Sequence, residues 1–231
     1  THPQALQAKV LEVNADFGIG LDGDGDRLIM VDELGELVDG DELLYIVASH
    51  LQQQGHLGGG VVGTLMSNLG LEQALQAQGI PFVRAAVGDR YVLAELEQRG
   101  WQVGGESSGH LLCLNVTSTG DGIVAALQVV AAMVETGRTL RELKQKMTKL
   151  PQRMINVSCT AEIVSTPTVL EGVKRIEARL QGRGRVLLRP SGTEPLVRVM
   201  IEGEDSALVD VLVEELAAIV ANAGTTKSGL C

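Results

Sequence analysis

The sequence predicts an α/β protein with a mixed, largely parallel sheet, followed by a smaller α+β domain. Between residues 39 and 147, apolar strands alternate with helical patterns of roughly 10–15 residues, which is typical of βαβ units. From residue 152 the order becomes strand, helix, strand, strand and helix. Hydrophobic residues make up 45% of the 231 residues and aromatic residues only 2%, so aliphatic side chains must form the cores.

The first 38 residues are predicted to be the C-terminal remnant of an α/β domain. Apolar periodicity favours a helix at 5–13, and two apolar runs favour strands at 17–21 and 28–31. Because two strands by themselves are only marginally stable, we expect this segment to be the edge of something larger.

Two further domains are predicted, at residues 39–147 and 152–231. In the first, helices are predicted at 41–54, 68–78, 89–99 and 121–135, and strands at 60–64, 81–86 and 102–104. In the second, strands are predicted at 153–159, 185–189 and 196–201, and helices at 166–180 and 205–221.

Composition and charge exclude several classes of function. Nineteen Lys and Arg against 29 Asp and Glu give a formal charge of −10, so neither nucleic acid nor an anionic membrane is an expected partner. The three cysteines have no CxxC spacing and their odd number argues against a disulfide framework, so we expect a reducing, cytoplasmic setting. The longest apolar run, residues 123–134, is shorter than the about 20 residues that a bilayer span needs.

The first chemical motif is an acidic loop between the first two predicted strands. Asp22, Asp24 and Asp26 alternate with glycines, and Arg27 follows them. Clustered carboxylates need a cation, and the glycines let the backbone fold tightly around it. Hard oxygen ligands suit Mg²⁺, which keeps other positions for water or a phosphate oxygen. The motif therefore predicts a magnesium site, with a solvated acidic hairpin loop as the alternative.

Two other motif families fit this loop less well. An EF-hand that begins at Asp22 would place Arg27 where glycine is required, and its flanks would be helices rather than strands. A phosphatase of the haloacid dehalogenase type usually carries Thr or Val where Asp26 stands. Neither reading explains the rest of the chain.

The motif at residues 22–27 resembles the metal loop of the α-D-phosphohexomutases, and the resemblance extends over nearly the whole chain. It implies that Asp22, Asp24 and Asp26 bind Mg²⁺ together with a phosphoserine oxygen. It also implies a catalytic role for Arg27, which would lie beside that phosphoserine.

A glycine-rich loop at residues 104–110 is the second motif. Its glycines allow a ligand to approach the backbone, and Glu106 and Ser108 can hydrogen-bond vicinal hydroxyls, which suits a sugar. A tight turn with solvated side chains is the alternative. The loop is similar to the family's Gly-Glu-x-Ser-Gly-His sugar-binding loop, and this likeness implies an acid/base or positioning role for His110.

Two more segments are candidate parts of a substrate site. Asp89 and Arg90 follow a predicted strand, where they form either a simple helix start or, by likeness to the family, substrate-binding residues. A loop between two adjacent strands in the last domain resembles the family's phosphate loop. The phosphate-binding residues predicted there are Arg189, Ser191, Gly192, Thr193 and Arg198.

The family's nucleophile lies in a Ser-His-Asn-Pro loop on an N-terminal domain, and this sequence contains no such motif. Its nearest counterpart, Ser49-His50, lies inside a helical pattern and is rejected. We therefore expect the chain to be the C-terminal part of a longer enzyme, to need that missing domain as a partner, and to be inactive alone.

The resemblance also implies a function. Residues 28–41 and 62–68 resemble the branch of the family that acts on glucosamine phosphates. The implied reaction is the interconversion of glucosamine 6-phosphate and glucosamine 1-phosphate through a bisphosphorylated sugar. Action on mannose or glucose phosphates, and a noncatalytic sugar-phosphate-binding module, are the alternatives. A homodimer is left open.

Overall fold

The computed structural model describes residues 2–192 and 194–225, the latter without the side chain of Thr225. The chain forms two compact units, Thr1–Thr148 and Lys149–Cys231. No helix among the described residues is long and apolar enough to cross a membrane.

The first unit opens with a helix on a small antiparallel sheet. Helix α1 (Gln4–Val13) precedes β1 (Phe17–Leu21), β2 (Leu28–Asp32) and β3 (Leu37–Val38), which pair in that order. The glycines of β1 let the helix approach closely, because a Cβ on Gly18 would lie 2.7 Å from a methyl group of Val10. The acidic loop is the connection between β1 and β2.

A four-stranded mixed sheet forms the rest of this unit. Its strands are β4 (Val61–Thr64), β5 (Phe82–Ala85), β6 (Val103–Gly105) and β7 (Leu111–Cys113). The order is β5-β4-β6-β7, with parallel pairing between the first three strands and antiparallel pairing between β6 and β7. The helices of this part are α2 (Gly40–Gln54), α3 (Leu69–Ala77), α4 (Asp89–Arg99), α5 (Gly122–Thr136) and α6 (Leu140–Lys144).

Local sequence signals explain where the long helices begin and end. Helix α2 begins with a capping box between Asp39 and Glu42 and ends at Gly55, which adopts the left-handed conformation. Helix α5 begins at Asp121, whose carboxylate accepts hydrogen bonds from the next two free N–H groups, and ends at Gly137.

The two sheets of the first unit share one apolar core. Leu28 and Met30 of β2 belong to the same buried cluster as Leu44 of α2, Val61 of β4 and Val129 of α5. The first 38 residues therefore pack onto the residues that follow them. The predicted domain limits at 1–38, 39–147 and 152–231 stay predictions.

An ionic cluster joins the small sheet to α6. The ammonium group of Lys144 lies 3.2 Å from Asp32, 3.5 Å from Glu36 and 3.8 Å from Glu42, and Arg141 lies 2.8 Å from Glu36. The Asp32 side chain is fully buried. Its other carboxylate oxygen accepts the N–H groups of residues 34 and 36, so the cluster also fixes the β2–β3 turn.

The second unit is a three-stranded antiparallel sheet with helices on one face. Its strands β8 (Gln152–Ser158), β9 (Gly184–Pro190) and β10 (Leu196–Gly203) lie in the order β8-β10-β9. Its core holds alternate residues of β10 together with residues of α7 (Pro167–Leu180) and α8 (Ser206–Thr225). A short 3₁₀ helix, Ala161–Ser165, follows β8.

The predicted fold class, α/β with a mixed sheet and a C-terminal α+β unit, is confirmed. The long helices and strands lie within a few residues of their predicted limits. The sequence patterns do not predict β3, β7, α6 or the 3₁₀ helix. Each of these elements has two to five residues, which is too short for a periodic pattern.

Candidate functional site

Three loops of the first unit meet because they follow parallel strands. Strands β4, β5 and β6 run in the same direction, so their carboxyl ends lie at one edge of the sheet. The loops that follow are residues 65–68, 86–88 and 106–110. Open α/β sheets bind ligands at this edge. The predicted sugar loop is one of the three.

The acidic loop forms a closed hairpin turn. The N–H of Asp22 bonds the Arg27 carbonyl at 3.4 Å, and the N–H of Arg27 donates to an Asp22 carboxylate oxygen at 3.1 Å. Ligand atoms of Asp22, Asp24 and Asp26 lie within 4.8 Å of one another, Asp22 and Asp24 being exposed and Asp26 half-buried. The three predicted metal ligands are thus brought together, and their role stays a prediction.

Electrostatics favour the ionised form of the first ligand. Partial desolvation alone would raise the pKa of Asp22, but the hydrogen bond from the Arg27 backbone and the charge of its guanidinium outweigh that effect. The net pKa of Asp22 therefore lies below its ordinary value. A carboxylate must be deprotonated to bind a cation, so this environment suits a metal ligand.

His110 lies against the acidic loop rather than in open solvent. Its Nδ1 atom is 3.0 Å from one carboxylate oxygen of Asp26, and the residue is only 6% exposed. The other oxygen of Asp26, Oδ1, is shielded from water and has no hydrogen-bond partner within residues 2–192 and 194–225. Asp26 is therefore held by one oxygen, which leaves the other for a ligand.

The sugar loop is anchored to the start of β2 and to α2. The N–H of Leu28 donates to the carbonyl of Gly109 at 3.0 Å, and the N–H of Gly40 donates to the carbonyl of Ser107 at 3.3 Å. Gly109 has φ +94°, and a Cβ there would lie 2.0 Å from the Leu28 carbonyl oxygen. A glycine is required at this position.

Glu106 links two of the three loops. One of its carboxylate oxygens accepts the N–H of Gly88 at 2.9 Å. Asp89 and Arg90 are exposed at the start of α4, and neither supplies a side-chain cap to that helix. The Arg90 guanidinium lies 4.6 Å from the centre of the Tyr91 ring and donates to the Tyr91 hydroxyl at 2.7 Å.

A groove of about 490 Å³ lies beside the acidic loop. Ser108 of the sugar loop, Asp22 and Arg27 all line it, together with Pro3 and Leu6 of the N-terminal segment. The exposed hydroxyl of Ser108 and the Arg27 side chain therefore face the same space. The size of this groove is typical of a small-ligand site, and its few polar groups can fix the orientation of a ligand.

The turn before α5 also contacts the acidic loop, and no sequence motif predicts this contact. The N–H of Gly122 donates to the carbonyl of Gly25 at 2.9 Å, and Gly120 packs on the His110 ring. Its signal in the sequence is a Gly-Asp-Gly turn directly before a helix. That pattern is too common to indicate a site without the contact.

The second unit carries the predicted phosphate loop between β9 and β10. The Ser191 hydroxyl accepts the N–H of Glu194 at 3.3 Å, and the Ser191 N–H donates to the carbonyl of Leu196 at 2.8 Å. A Cβ on Gly192 would meet no atom within 4 Å, so its backbone faces open space. Thr193 lies outside the described residues.

Two arginines stand side by side on this sheet. Arg189 and Arg198 are direct cross-strand partners, so their side chains lie on the same face. That face is opposite the helices, because Val197 and Val199 point into the core. Arg189 Nη1 and Arg198 Nε are shielded from water and have no acceptor in the described part of the chain. The pair fits an anion.

The chain matches two models of one protein family. Residues 39–150 match phosphoglucomutase/phosphomannomutase, alpha/beta/alpha domain III, and residues 134–219 match phosphoglucomutase/phosphomannomutase, C-terminal domain. Among curated proteins, it is 59% identical over 223 residues to phosphoglucosamine mutase of Pseudomonas syringae pv. syringae, covering 95% of this chain and 50% of that protein. The same enzyme of Cellvibrio japonicus is 58% identical over 224 residues, again at 95% and 50% coverage.

Solved structures share the fold. N-acetylphosphoglucosamine mutase of Aspergillus fumigatus, in complex with GlcNAc-6P and magnesium, matches at a TM-score of 0.75 and 24% identity, over 89% of this chain and 48% of that one. A phosphoglucomutase/phosphomannomutase family protein of Burkholderia thailandensis matches at 0.73 and 21%, over 100% and 52%. The chain spans about half the length of the curated relatives it matches.

Proposed function

We propose that this chain, which belongs to the phosphoglucomutase/phosphomannomutase family, supplies the metal, sugar and phosphate loops of a mutase that interconverts glucosamine 6-phosphate and glucosamine 1-phosphate. The high identity to phosphoglucosamine mutases supports the substrate class. The observation that carries the proposal is the meeting of the acidic loop with the sugar loop through the Asp26–His110 and Leu28–Gly109 contacts.

The residues fit a bound Mg²⁺. Three carboxylates lie within reach of one ion, and Asp26 offers a buried oxygen with no partner in residues 2–192 and 194–225. Asp22, Asp24 and Asp26 would hold the ion, which would neutralise charge on a phosphoryl group during transfer. Arg27, on the same groove, would bind a phosphoryl oxygen.

The sugar would be oriented by the loop after β6. The exposed Ser108 hydroxyl and the carboxylate of Glu106 would hydrogen-bond sugar hydroxyls, while the bond from Gly88 keeps Glu106 in place. Asp89 and Arg90, at the start of α4, would bind the same ligand from the neighbouring loop. His110, held against Asp26, would position that carboxylate or move a proton at the reacting hydroxyl.

The non-reacting phosphate would be held by the second unit. Arg189 and Arg198 would donate to it through charge-assisted bonds, together with Ser191, the Gly192 backbone and Thr193. The reaction needs one phosphoryl group to pass from a phosphoserine to the sugar and the other to return to that serine. No Ser-His-Asn-Pro motif is present in these 231 residues, so that serine must come from another segment.

A chimera tests this proposal directly. The part of the Pseudomonas syringae relative that precedes the matched region would be fused to this chain, and turnover would be measured on glucosamine 6-phosphate and mannose 6-phosphate. We expect faster turnover on glucosamine 6-phosphate than on mannose 6-phosphate, and we expect Asp24→Asn to abolish turnover. Faster turnover on mannose 6-phosphate would contradict the proposed substrate, and activity in Asp24→Asn would contradict the metal site. A cytoplasmic location and a homodimer stay predictions.

A further inference from the structure

We infer that the turn at residues 120–122 is a positioning element that sets the shape of the acidic loop. This inference rests on the proposed metal role of that loop. It assigns Gly120 and Gly122 a role in holding the metal ligands, although neither has a side chain that could bind an ion. Three contacts, all within the first unit, give the turn this role.

The first contact holds the tip of the acidic loop. The N–H of Gly122 donates to the carbonyl of Gly25, which lies between Asp24 and Asp26, at 2.9 Å. A Cβ on Gly122 would lie 2.9 Å from that same carbonyl oxygen and 2.6 Å from a methyl group of Leu21. Leu21 is 42% exposed and could turn aside, but the carbonyl oxygen belongs to the backbone. Any larger residue would therefore push the helix start away from the loop.

The second contact acts through His110. A Cβ on Gly120 would lie 2.1 Å from Nε2 of this ring and 2.3 Å from Cε1, so only glycine leaves room for it. The opposite ring nitrogen, Nδ1, contacts the Asp26 carboxylate at 3.0 Å. Gly120 therefore sets the position of the ring, and the ring sets the orientation of Asp26.

The third contact fixes the turn itself. The carboxylate of Asp121 accepts the N–H groups of Ile123 and Val124 at 2.8 and 3.0 Å, which ties the turn to the first residues of α5. Val129 of the same helix is fully buried in the core. The turn is thus held by a packed 15-residue helix, whereas the acidic loop connects two strands of five residues each. The packed helix therefore restricts, through this turn, the positions that the acidic loop can adopt.

Residues that orient metal ligands usually affect affinity without touching the ion. Loss of such a partner typically weakens metal binding by roughly 10- to 100-fold. We therefore expect Gly120→Ala and Gly122→Ala to raise the dissociation constant for Mn²⁺ alone at least about tenfold. The ion would be followed by its paramagnetic effect on water relaxation, which detects weak binding.

A stability control and a double variant separate positioning from general damage. Val129→Ala removes core packing from α5 without touching the loop, so it should lower the melting temperature and leave Mn²⁺ affinity within twofold. His110→Ala removes the ring that Gly120→Ala would strike. If Gly120 acts through that ring, Gly120→Ala should weaken binding much less in a His110→Ala background than in the unaltered chain.

The Mn²⁺ affinities of these variants test the positioning role of the turn. Mn²⁺ affinity within twofold of the unaltered chain in both folded glycine variants would overturn the positioning role and leave the metal site intact. Equal, independent losses from Gly120→Ala with and without His110 would also overturn the route through that ring. If Gly120→Ala does not fold, Gly122→Ala carries the test, and Mn²⁺ affinity within twofold of the unaltered chain in that folded variant would overturn the positioning role. Absence of Mn²⁺ binding by the unaltered chain would refute the proposed metal role and this inference together.

Discussion

The arginine pair of the second unit leads to a prediction in which ligand binding becomes weaker while the fold becomes more stable. Arg198→Met keeps a long apolar stem and removes one of the two guanidinium groups that directly paired residues of β9 and β10 carry on the same face of the sheet. If this pair is kept for binding phosphate, the substitution should weaken binding of glucosamine 6-phosphate and should not weaken the fold. A residue kept for stability would behave in the opposite way.

The magnitudes follow from the contacts. A charge-assisted hydrogen bond contributes about 1.5–3 kcal/mol, so losing one should weaken sugar-phosphate binding roughly ten- to hundredfold. On the stability side, Arg198 Nε is shielded from water without an acceptor in the described residues, and such a donor costs about 1–3 kcal/mol. Like charges on directly paired residues also destabilise the sheet. We therefore expect the free energy of unfolding to rise by about 1 kcal/mol.

The assay combines calorimetric binding of glucosamine 6-phosphate with urea unfolding of the 231-residue chain. Arg189→Met should likewise weaken binding of glucosamine 6-phosphate and raise the free energy of unfolding. Arg153→Met is the matched control, because this exposed arginine of the same sheet contacts Asp210 at 2.7 Å and should leave binding unchanged. Binding within twofold in both test variants would refute the phosphate site. A loss of stability above about 1 kcal/mol in Arg198→Met would show that its guanidinium has a stabilising partner.

Three further predictions concern the first unit. In a urea titration, Lys144→Met should lower the free energy of unfolding by about 3 kcal/mol, because it leaves the buried Asp32 carboxylate without its nearest cation. Lys9→Met is the control: it removes an exposed pair with Glu12 and should change the free energy of unfolding by less than about 1 kcal/mol. The hydrogen bond from Arg141 holds the pKa of Glu36 below its ordinary value. The stability that this ion pair contributes is therefore present at neutral pH and is lost as the pH falls through that lowered pKa. NMR titration should find a higher pKa for Glu36 in Arg141→Met, and an unchanged pKa would contradict this cause. Burial raises the pKa of the Cys113 thiol to about 11, so at pH 8 iodoacetamide should label this thiol only after the chain unfolds. Detection of labelled Cys113 in the native chain by mass spectrometry would contradict this prediction.

Much of the fold followed from periodicity and end signals. The predicted helix at 89–99 and the strand at 17–21 match α4 and β1 residue for residue, because glycine ends the helix and polar segments flank the strand. The strand β7 was missed for a physical reason. Its three residues form a strand only because β6 offers a free edge for antiparallel pairing, and that edge is a property of the tertiary structure.

The candidate site divides in the same way. The carboxylates of the acidic loop lie within residues 22–26, so their proximity was predictable from the motif. The contact of His110 with Asp26 joins positions that are 84 residues apart, and no local pattern encodes it. The same is true of the bond from Gly122 to Gly25. Motifs identified what each loop can bind, whereas only the fold revealed which residues hold those loops in place.

The ionic cluster around Lys144 has a consequence for synthesis on the ribosome. Asp32 emerges about 110 residues before the lysine that neutralises it, which corresponds to several seconds or more at ordinary elongation rates. During that interval the β2–β3 hairpin lacks both this cation and the apolar cover of α5, so it cannot complete its packing. The first unit should therefore reach its native state late, after α6 has left the exit tunnel. Ribosome-bound chains that end before Lys144 should remain sensitive to protease, and chains extended well beyond it should become resistant.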